Sequence, residues 1–225
     1  MELIKKGKTK DVYKLPNGNY QLLFKDDVTG TDGVFDPGAN TVGARIEGIG
    51  RENLRVSVYF FDLLKKRGVL THYVGADLDR GAMEVIGAEP FGQGLEVICR
   101  LRAVGSFIRR YGAYIESGTA LPYYVEMTLK DDERGDPLIT MEALEVLGIL
   151  TEAQYKDMSR MTKEIVKIIA DELAKKGLEL YDIKLEFGNA GGKVLLMDEI
   201  ASGNMRAYKD GKVVDPMELT KIILG

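Results

Sequence analysis

The stretch Asp182-Ile183-Lys184-Leu185-Glu186-Phe187 constrains the chain more than any other. Charged and apolar residues alternate along it, and only an extended strand turns that alternation into two chemically distinct faces. One face sends Ile183, Leu185 and Phe187 into a core, while the other collects Asp182, Lys184 and Glu186. After the turn Asn189-Ala190-Gly191-Gly192, the run Val194-Leu195-Leu196-Met197 is almost wholly apolar and delivers Asp198 and Glu199 at its end. Carboxylates gathered in this way repel unless a proton or cation lies among them, and hard oxygen donors with nucleotide phosphates are the usual surroundings of Mg²⁺. A solvated strand face neutralised by Lys184 is the competing reading. Strand register decides whether Glu186 meets Asp198 or Glu199.

Further strands are expected at Leu95 to Leu101 and Tyr123 to Leu129, interrupted by helices rather than alternating with them, so the fold class is α+β. The N-terminus reads as a small antiparallel sheet: Leu3-Ile4, the turn Gly7-Lys8-Thr9-Lys10, Val12-Tyr13, a Pro16-Asn17-Gly18-Asn19 turn, then Tyr20 to Phe24. Thr29 to Gly50, rich in Gly, Asp and Asn and without sustained period, reads as a long functional or mobile loop. Helical spacing follows from Glu52 to Lys66 and from Thr151 to Lys176, each ending in basic residues and a glycine. A last short helix starts at Asp215-Pro216, where Asp caps and Pro fits the first turn.

With 225 residues, 45% hydrophobic and 29% charged, the chain has the balance of an ordinary globular protein with one core or two lobes sharing a cleft. The expected division is an antiparallel N-terminal lobe over residues 1–75 and an α+β lobe over 76–225. A net charge of -4 gives no reason to bind nucleic acid. No stretch approaches the roughly 20 uninterrupted apolar residues that span a bilayer, and even Val56 to Leu64 is brief and flanked by Arg55 and Lys65, so no membrane partner is expected. One cysteine, Cys99, cannot form an intrachain disulfide, and the first residues lack the apolar core of a secretory signal; the expected location is cytoplasmic.

Several segments could carry chemistry. The glycine of Gly7-Lys8-Thr9-Lys10 can let backbone approach a phosphate while Lys8 and Lys10 supply charge, but the segment is no Walker motif and, taken alone, an ordinary hairpin turn is the commoner reading. Lys130-Asp131-Asp132-Glu133-Arg134-Gly135-Asp136-Pro137 is a charged turn at a strand end, where ligands are often gripped. Arg100, Arg102, Arg109 and Arg110 cluster around Gly105-Ser106, at a strand-to-helix junction suited to phosphate. His72, the only histidine, reads as structural and Cys99 as core; together they cannot build a zinc site or a nucleophilic triad.

Taken in order, Gly7-Lys8-Thr9-Lys10-Asp11-Val12-Tyr13, Phe24-Lys25-Asp26-Asp27, Thr71-His72-Tyr73-Val74, Arg100 leading to Gly105-Ser106, Leu129-Lys130-Asp131-Asp132, Gly135-Asp136-Pro137, Asp182 to Gly188, and Asp198-Glu199-Ile200 before Arg206 resemble the SAICAR synthetase family over nearly the whole chain. The resemblance implies a kinase-like antiparallel N-terminal lobe packed on a mixed lobe, with ATP and Mg²⁺ as cofactors. It implies Lys8 and Lys10 at the nucleotide, Glu186 and Asp198 as magnesium ligands, and Lys184, Lys130 and Asp136 as catalytic residues. Arg100, Ser106, Arg206 and Asp182 would hold the substrate. The implied substrates are carboxyaminoimidazole ribonucleotide (CAIR) and L-aspartate, joined through an acyl phosphate, and the implied assembly is a homodimer. Two segments depart from the family pattern: Ala201-Ser202-Gly203-Asn204, which lacks the usual acidic residue at Gly203, and the loop from Gly30 to Asn40. A paralogous carboxylate–amine ligase or a non-catalytic nucleotide-binding protein are the alternatives.

Overall fold

The structure is a computed structural model that describes residues 1–31, 33–39 and 41–225. In chain order the strands are β1 (Glu2–Lys6), β2 (Lys10–Lys14), β3 (Tyr20–Phe24), β4 (Asp27–Thr31), β5 (Val34–Phe35), β6 (Val42–Arg45), β7 (Tyr73–Asp77), β8 (Ala82–Val85), β9 (Glu89–Pro90), β10 (Leu95–Arg102), β11 (Ala120–Leu129), β12 (Leu138–Ile139), β13 (Glu179–Ala190), β14 (Lys193–Met197), β15 (Met205–Lys209) and β16 (Lys212–Val213). The helices are α1 (Ile49–Lys66), α2 (Ser106–Tyr111), α3 (Met141–Val146), α4 (Glu152–Ala174) and α5 (Pro216–Leu224). The α+β class expected from the sequence holds, with antiparallel sheets and few helices. None of the described helices is long and apolar enough to cross a membrane.

Two compact units are present: Met1–Glu89 with Asn189–Asn204 and Asp215–Gly225, and Pro90–Gly188 with Met205–Val214. The first unit therefore runs beyond residue 75, where the sequence reading divided the chain, and recovers two later segments. Its main sheet has the antiparallel order β1-β2-β3-β8-β7. Thr29 to Gly50, read from the sequence as a long loop, carries regular structure: β4, β5 and β6 form a small antiparallel sheet, with Asp27 opposite Arg45 and Gly30 opposite Phe35. Asp32 and Asn40, part of the segment that departs from the family pattern, lie outside the described residues.

Helix α1 buries Leu54, Phe60, Phe61 and Leu64. No side chain of its own caps it; instead Asp26 accepts the Gly50 N–H at 3.1 Å, satisfying one donor that a helix start leaves open. Glycine is required at 50, since a Cβ there would stand 2.7 Å from the Lys25 carbonyl oxygen.

The second unit is organised by an antiparallel sheet in the order β12-β11-β10-β13-β15-β16. Register places Val97 opposite Leu185 and Met127, and Cys99 opposite Ile183, so one face is apolar. Helix α4 packs on β10 and β11 with Ile165, Val166, Ile169 and Leu173 buried. Its start is fixed by the reciprocal capping pair Thr151 and Gln154. The same register puts Glu96 opposite Glu186 and Thr128, Arg100 opposite Asp182, and Asp182 opposite Arg206, which collects the polar side chains on the other face.

Candidate active site

Each unit carries its own charged constellation. In the first, Gly7 donates its N–H to the Lys10 carbonyl at 2.9 Å, a contact so close that a Cβ on Gly7 would lie 2.3 Å from that oxygen. Lys25 clamps the same turn twice: its amide donates to the Thr9 carbonyl at 2.9 Å and its ammonium to the Gly7 carbonyl at 2.6 Å. Lys8 sits half-buried within the turn. Lys10 leaves it at the start of β2 and reaches Asp198 at 3.0 Å and Glu199 at 2.8 Å. Burial alone would lower the Lys10 pKa, but the two carboxylates outweigh it and the net direction is upward, so the ammonium stays charged.

Both acids meet one lysine although they are consecutive, because β14 ends at Met197 and Asp198 adopts φ 67°, outside strand geometry. The chain beyond is pinned by Asn204, whose side chain accepts from the Ala201 N–H at 2.9 Å, and by Ser202, which donates to Asn53 at 2.6 Å. A Cβ on Gly203 would lie 3.5 Å from Glu199 Oε1, an ordinary van der Waals distance, so the backbone leaves room for a side chain there.

His72 is buried in this unit, its Nε2 lying 2.9 Å from the Asp198 carbonyl oxygen. Burial pushes its pKa down from the ordinary 6.5 to about 4, with the attraction of Asp198 opposing only in part. An unfolded chain binds that proton near pH 6.5, whereas the folded protein refuses it until about pH 4. Stability from this group is thus complete above pH 6.5 and lost as pH falls toward 4, by roughly 3 kcal/mol in all. Urea midpoints at pH 7 and pH 4.5 should show the unsubstituted protein losing about 2–3 kcal/mol more than His72→Gln, which has nothing to protonate at that position.

In the second unit the polar face of the sheet holds two groups. The first is a chain of ion pairs: Arg110 donates to Glu126 at 2.6 Å, Arg100 to Glu126 at 2.7 Å and to Asp182 at 2.7 Å, and Arg206 to Asp182 at 2.8 Å. Arg100 is 2% exposed, and all five of its N–H donors are spent: Nε on Glu126, Nη1 on Asp182 and the Val104 carbonyl, Nη2 on Glu126 and Ser106. Three arginines against two carboxylates leave one positive charge in excess, the sign that suits a phosphate. Gly105, at φ 58°, brings backbone close to this cluster; a Cβ there would stand 2.9 Å from Arg206 Nη1. Gly105→Ala should displace that guanidinium and raise the KM for an anionic substrate by about tenfold, measured in steady-state kinetics.

The second group pairs each of two facing glutamates with a lysine. Lys184 donates to Glu96 at 2.6 Å, Thr128 donates to the other Glu96 oxygen at 3.1 Å, and Lys130 pairs with Glu186. Like charges opposite one another across strands are unfavourable, so these lysines compensate the Glu96–Glu186 pairing. Asp136 lies nearby at φ 48°, accepting from the Asp131 N–H at 2.8 Å. Burial raises its pKa and the charge of Glu96 raises it further, against the Asp131 hydrogen bond.

The second unit thus brings together Lys130, Asp136, Lys184 and Glu186, and beside them Arg100, Ser106, Asp182 and Arg206; the first brings together Lys10 and Asp198. Sequence reasoning did not single out Glu96, Glu126, Thr128 and Lys25 as site residues. Their signal was present in part: Glu96 and Arg100 alternate with apolar residues along a strand, and Lys25 belongs to the Phe24-Lys25-Asp26-Asp27 segment. Cys99 is core as expected, with burial pushing its thiol up to about 12.

Among the described residues, no group of three or more His, Cys, Asp or Glu side chains is placed to hold a metal unaided. Magnesium is usually held by one or two carboxylates together with phosphate oxygens and water, so single carboxylates such as Asp198, 28% exposed, and Glu186 have fitting donor chemistry.

A family model described as SAICAR synthetase matches residues 3–220. The phosphoribosylaminoimidazole-succinocarboxamide synthase of Clostridium tetani (strain Massachusetts / E88) is 56% identical over 226 residues, covering 100% of both chains. A solved structure of a type-2 SAICAR synthetase in complex with ADP superimposes with a TM-score of 0.85 at 31% identity, covering 98% of this chain and 95% of that one. The SAICAR synthetase of Pyrococcus horikoshii OT3 gives a TM-score of 0.83 at 30% identity, covering 96% and 97%. With its collinear motifs, its two charged constellations and this match over nearly its whole length, the chain belongs to the SAICAR synthetase family.

Proposed function

We propose that the chain is the ATP-dependent ligase that joins L-aspartate to CAIR, giving SAICAR, ADP and phosphate in purine biosynthesis. The observation that carries this is the polar face of the second unit, where carboxylates are paired with lysines and arginines. Such a face suits a reaction whose reactants bring their own nucleophiles and whose barrier is electrostatic.

In this reaction an oxygen of the CAIR carboxylate attacks the γ-phosphorus of ATP and ADP leaves. The aspartate amine then attacks the acyl phosphate carbon, loses a proton and expels inorganic phosphate. Lys8 and Lys10 are assigned to the nucleotide phosphates, which the clamped Gly7 turn allows to approach backbone. Glu186 and Asp198 are each assigned as a magnesium ligand; bound magnesium would neutralise charge on the transferring phosphoryl group. Lys130, Lys184 and Asp136 are assigned to the reacting carboxylate and amine, with Glu96 fixing Lys184. Arg206 and Ser106 are assigned to the ribonucleotide phosphate, and Arg100 and Asp182 hold those two in place.

The partners proposed are small molecules, the setting cytoplasmic, and the assembly a homodimer to be sought by gel filtration. Purified protein given ATP, Mg²⁺, L-aspartate and CAIR should form ADP, phosphate and SAICAR in equal amounts. ADP release that depends on another carboxylate or amine would assign the chain to a paralogous ligase, and nucleotide binding without any turnover would make it a binding protein.

A further inference from the structure

His72 is the only histidine of the chain and none of the steps above uses it, yet it is 5% exposed and built into the edge of the first constellation. Its backbone is held to the strand that ends before Asp198: Thr71 bridges Leu196 in parallel, and the His72 N–H donates to the Leu196 carbonyl at 2.9 Å. Its ring leans on Phe61 of α1 with centroids 5.5 Å apart. From that fixed position Nε2 meets the carbonyl oxygen of Asp198. A carbonyl only accepts, so Nε2 carries the proton. Asp198 needs such help, because φ 67° is a left-handed conformation that residues other than glycine adopt at a cost and keep only when their surroundings impose it. In this conformation its carbonyl points to His72 while its carboxylate stands 3.0 Å from Lys10.

We propose that His72 is a positioning residue: its Nε2–H fixes the Asp198 carbonyl, holding the left-handed turn that aims the Asp198 carboxylate at Lys10 and at the cation of the bound nucleotide. The link to the cation rests on the ligase reading; the link to the turn does not. His72 touches no reacting atom and acts through Asp198.

Two variants separate positioning from bulk. His72→Phe keeps a ring against Phe61 and loses the donor, with His72→Leu in reserve should the phenylalanine not fold; His72→Gln returns an N–H near the place of Nε2. The readouts are amide hydrogen exchange at Asp198 and Glu199, and the magnesium concentration giving half-maximal binding of a fluorescent ATP analogue. His72→Phe should exchange these amides about tenfold faster and need about tenfold more magnesium, while His72→Gln stays within about threefold of the unsubstituted protein. A merely structural histidine would lower Tm in both variants and move neither readout, and that result, or failure of glutamine to restore exchange, would overturn the proposal. If exchange responds and the magnesium midpoint does not, the cation link is wrong. An unchanged midpoint in Asp198→Asn would then place that failure in the metal assignment of the ligase reading.

Discussion

Glu186→Gln should abolish ligation in practice, lowering kcat by about 10³-fold or more while leaving the fold intact. The side chain is buried on the polar face of β13 and its carboxylate is paired with Lys130. Glutamine keeps the volume and one carbonyl oxygen but removes the negative charge that pairs with Lys130 and that the proposed magnesium role requires. Loss of a single preorganised electrostatic contact at a transition state costs about 10²–10³ in rate, and on the proposed metal assignment loss of a ligand would add to it. Stability should change little, because Lys130 is 39% exposed and water solvates the released ammonium. SAICAR formation from ATP, Mg²⁺, L-aspartate and CAIR, measured beside the thermal midpoint, checks both halves; an unchanged rate would sink the role assigned to Glu186.

Much of the framework was legible because periodic patterns survive folding. The alternation from Asp182 to Phe187 placed Ile183, Leu185 and Phe187 in the core, and Thr151 and Asp215 marked helix starts where caps were found. What escaped had physical reasons. Strands of two to five residues, such as β4, β5 and β6, are too short to show a period, so their glycine- and aspartate-rich sequence looked like loop. The partner of Lys184 also misled: alternation suggests neutralisation by Asp182 and Glu186 on the same strand, but the neighbouring strand supplies Glu96 at 2.6 Å. Cross-strand geometry decides such pairings, and one strand does not contain it. Adjacent Asp198 and Glu199 would point to opposite faces of a continuing strand; only the left-handed residue at 198 lets both reach Lys10.

Arg100→Met should cost about 3–5 kcal/mol of stability, the largest loss expected from any single change on this face. The guanidinium is the centre of the Arg110–Glu126–Arg100–Asp182–Arg206 chain, and its five bonds have no route to water in compensation. Methionine fills most of the volume but leaves the Val104 carbonyl and the Ser106 hydroxyl without this donor, and reduces Glu126 and Asp182 to one arginine each. For a chain of this size 1 kcal/mol corresponds to roughly 2–4 °C in Tm, so the midpoint should fall by about 6–20 °C. Arg100→Lys should fare little better, since three donors on a flexible stem cannot reproduce a planar fork that serves two carboxylates, a carbonyl and a hydroxyl at once. Arg206→Met gives the contrast. It sits at the end of the chain of charges and Asp182 keeps Arg100, so stability should drop by only about 1 kcal/mol while the KM for CAIR rises. Scanning calorimetry and steady-state kinetics on the three variants therefore divide the arginines by role, and an Arg100→Lys variant as stable as the unsubstituted protein would show that charge alone, without the fork, holds this face together.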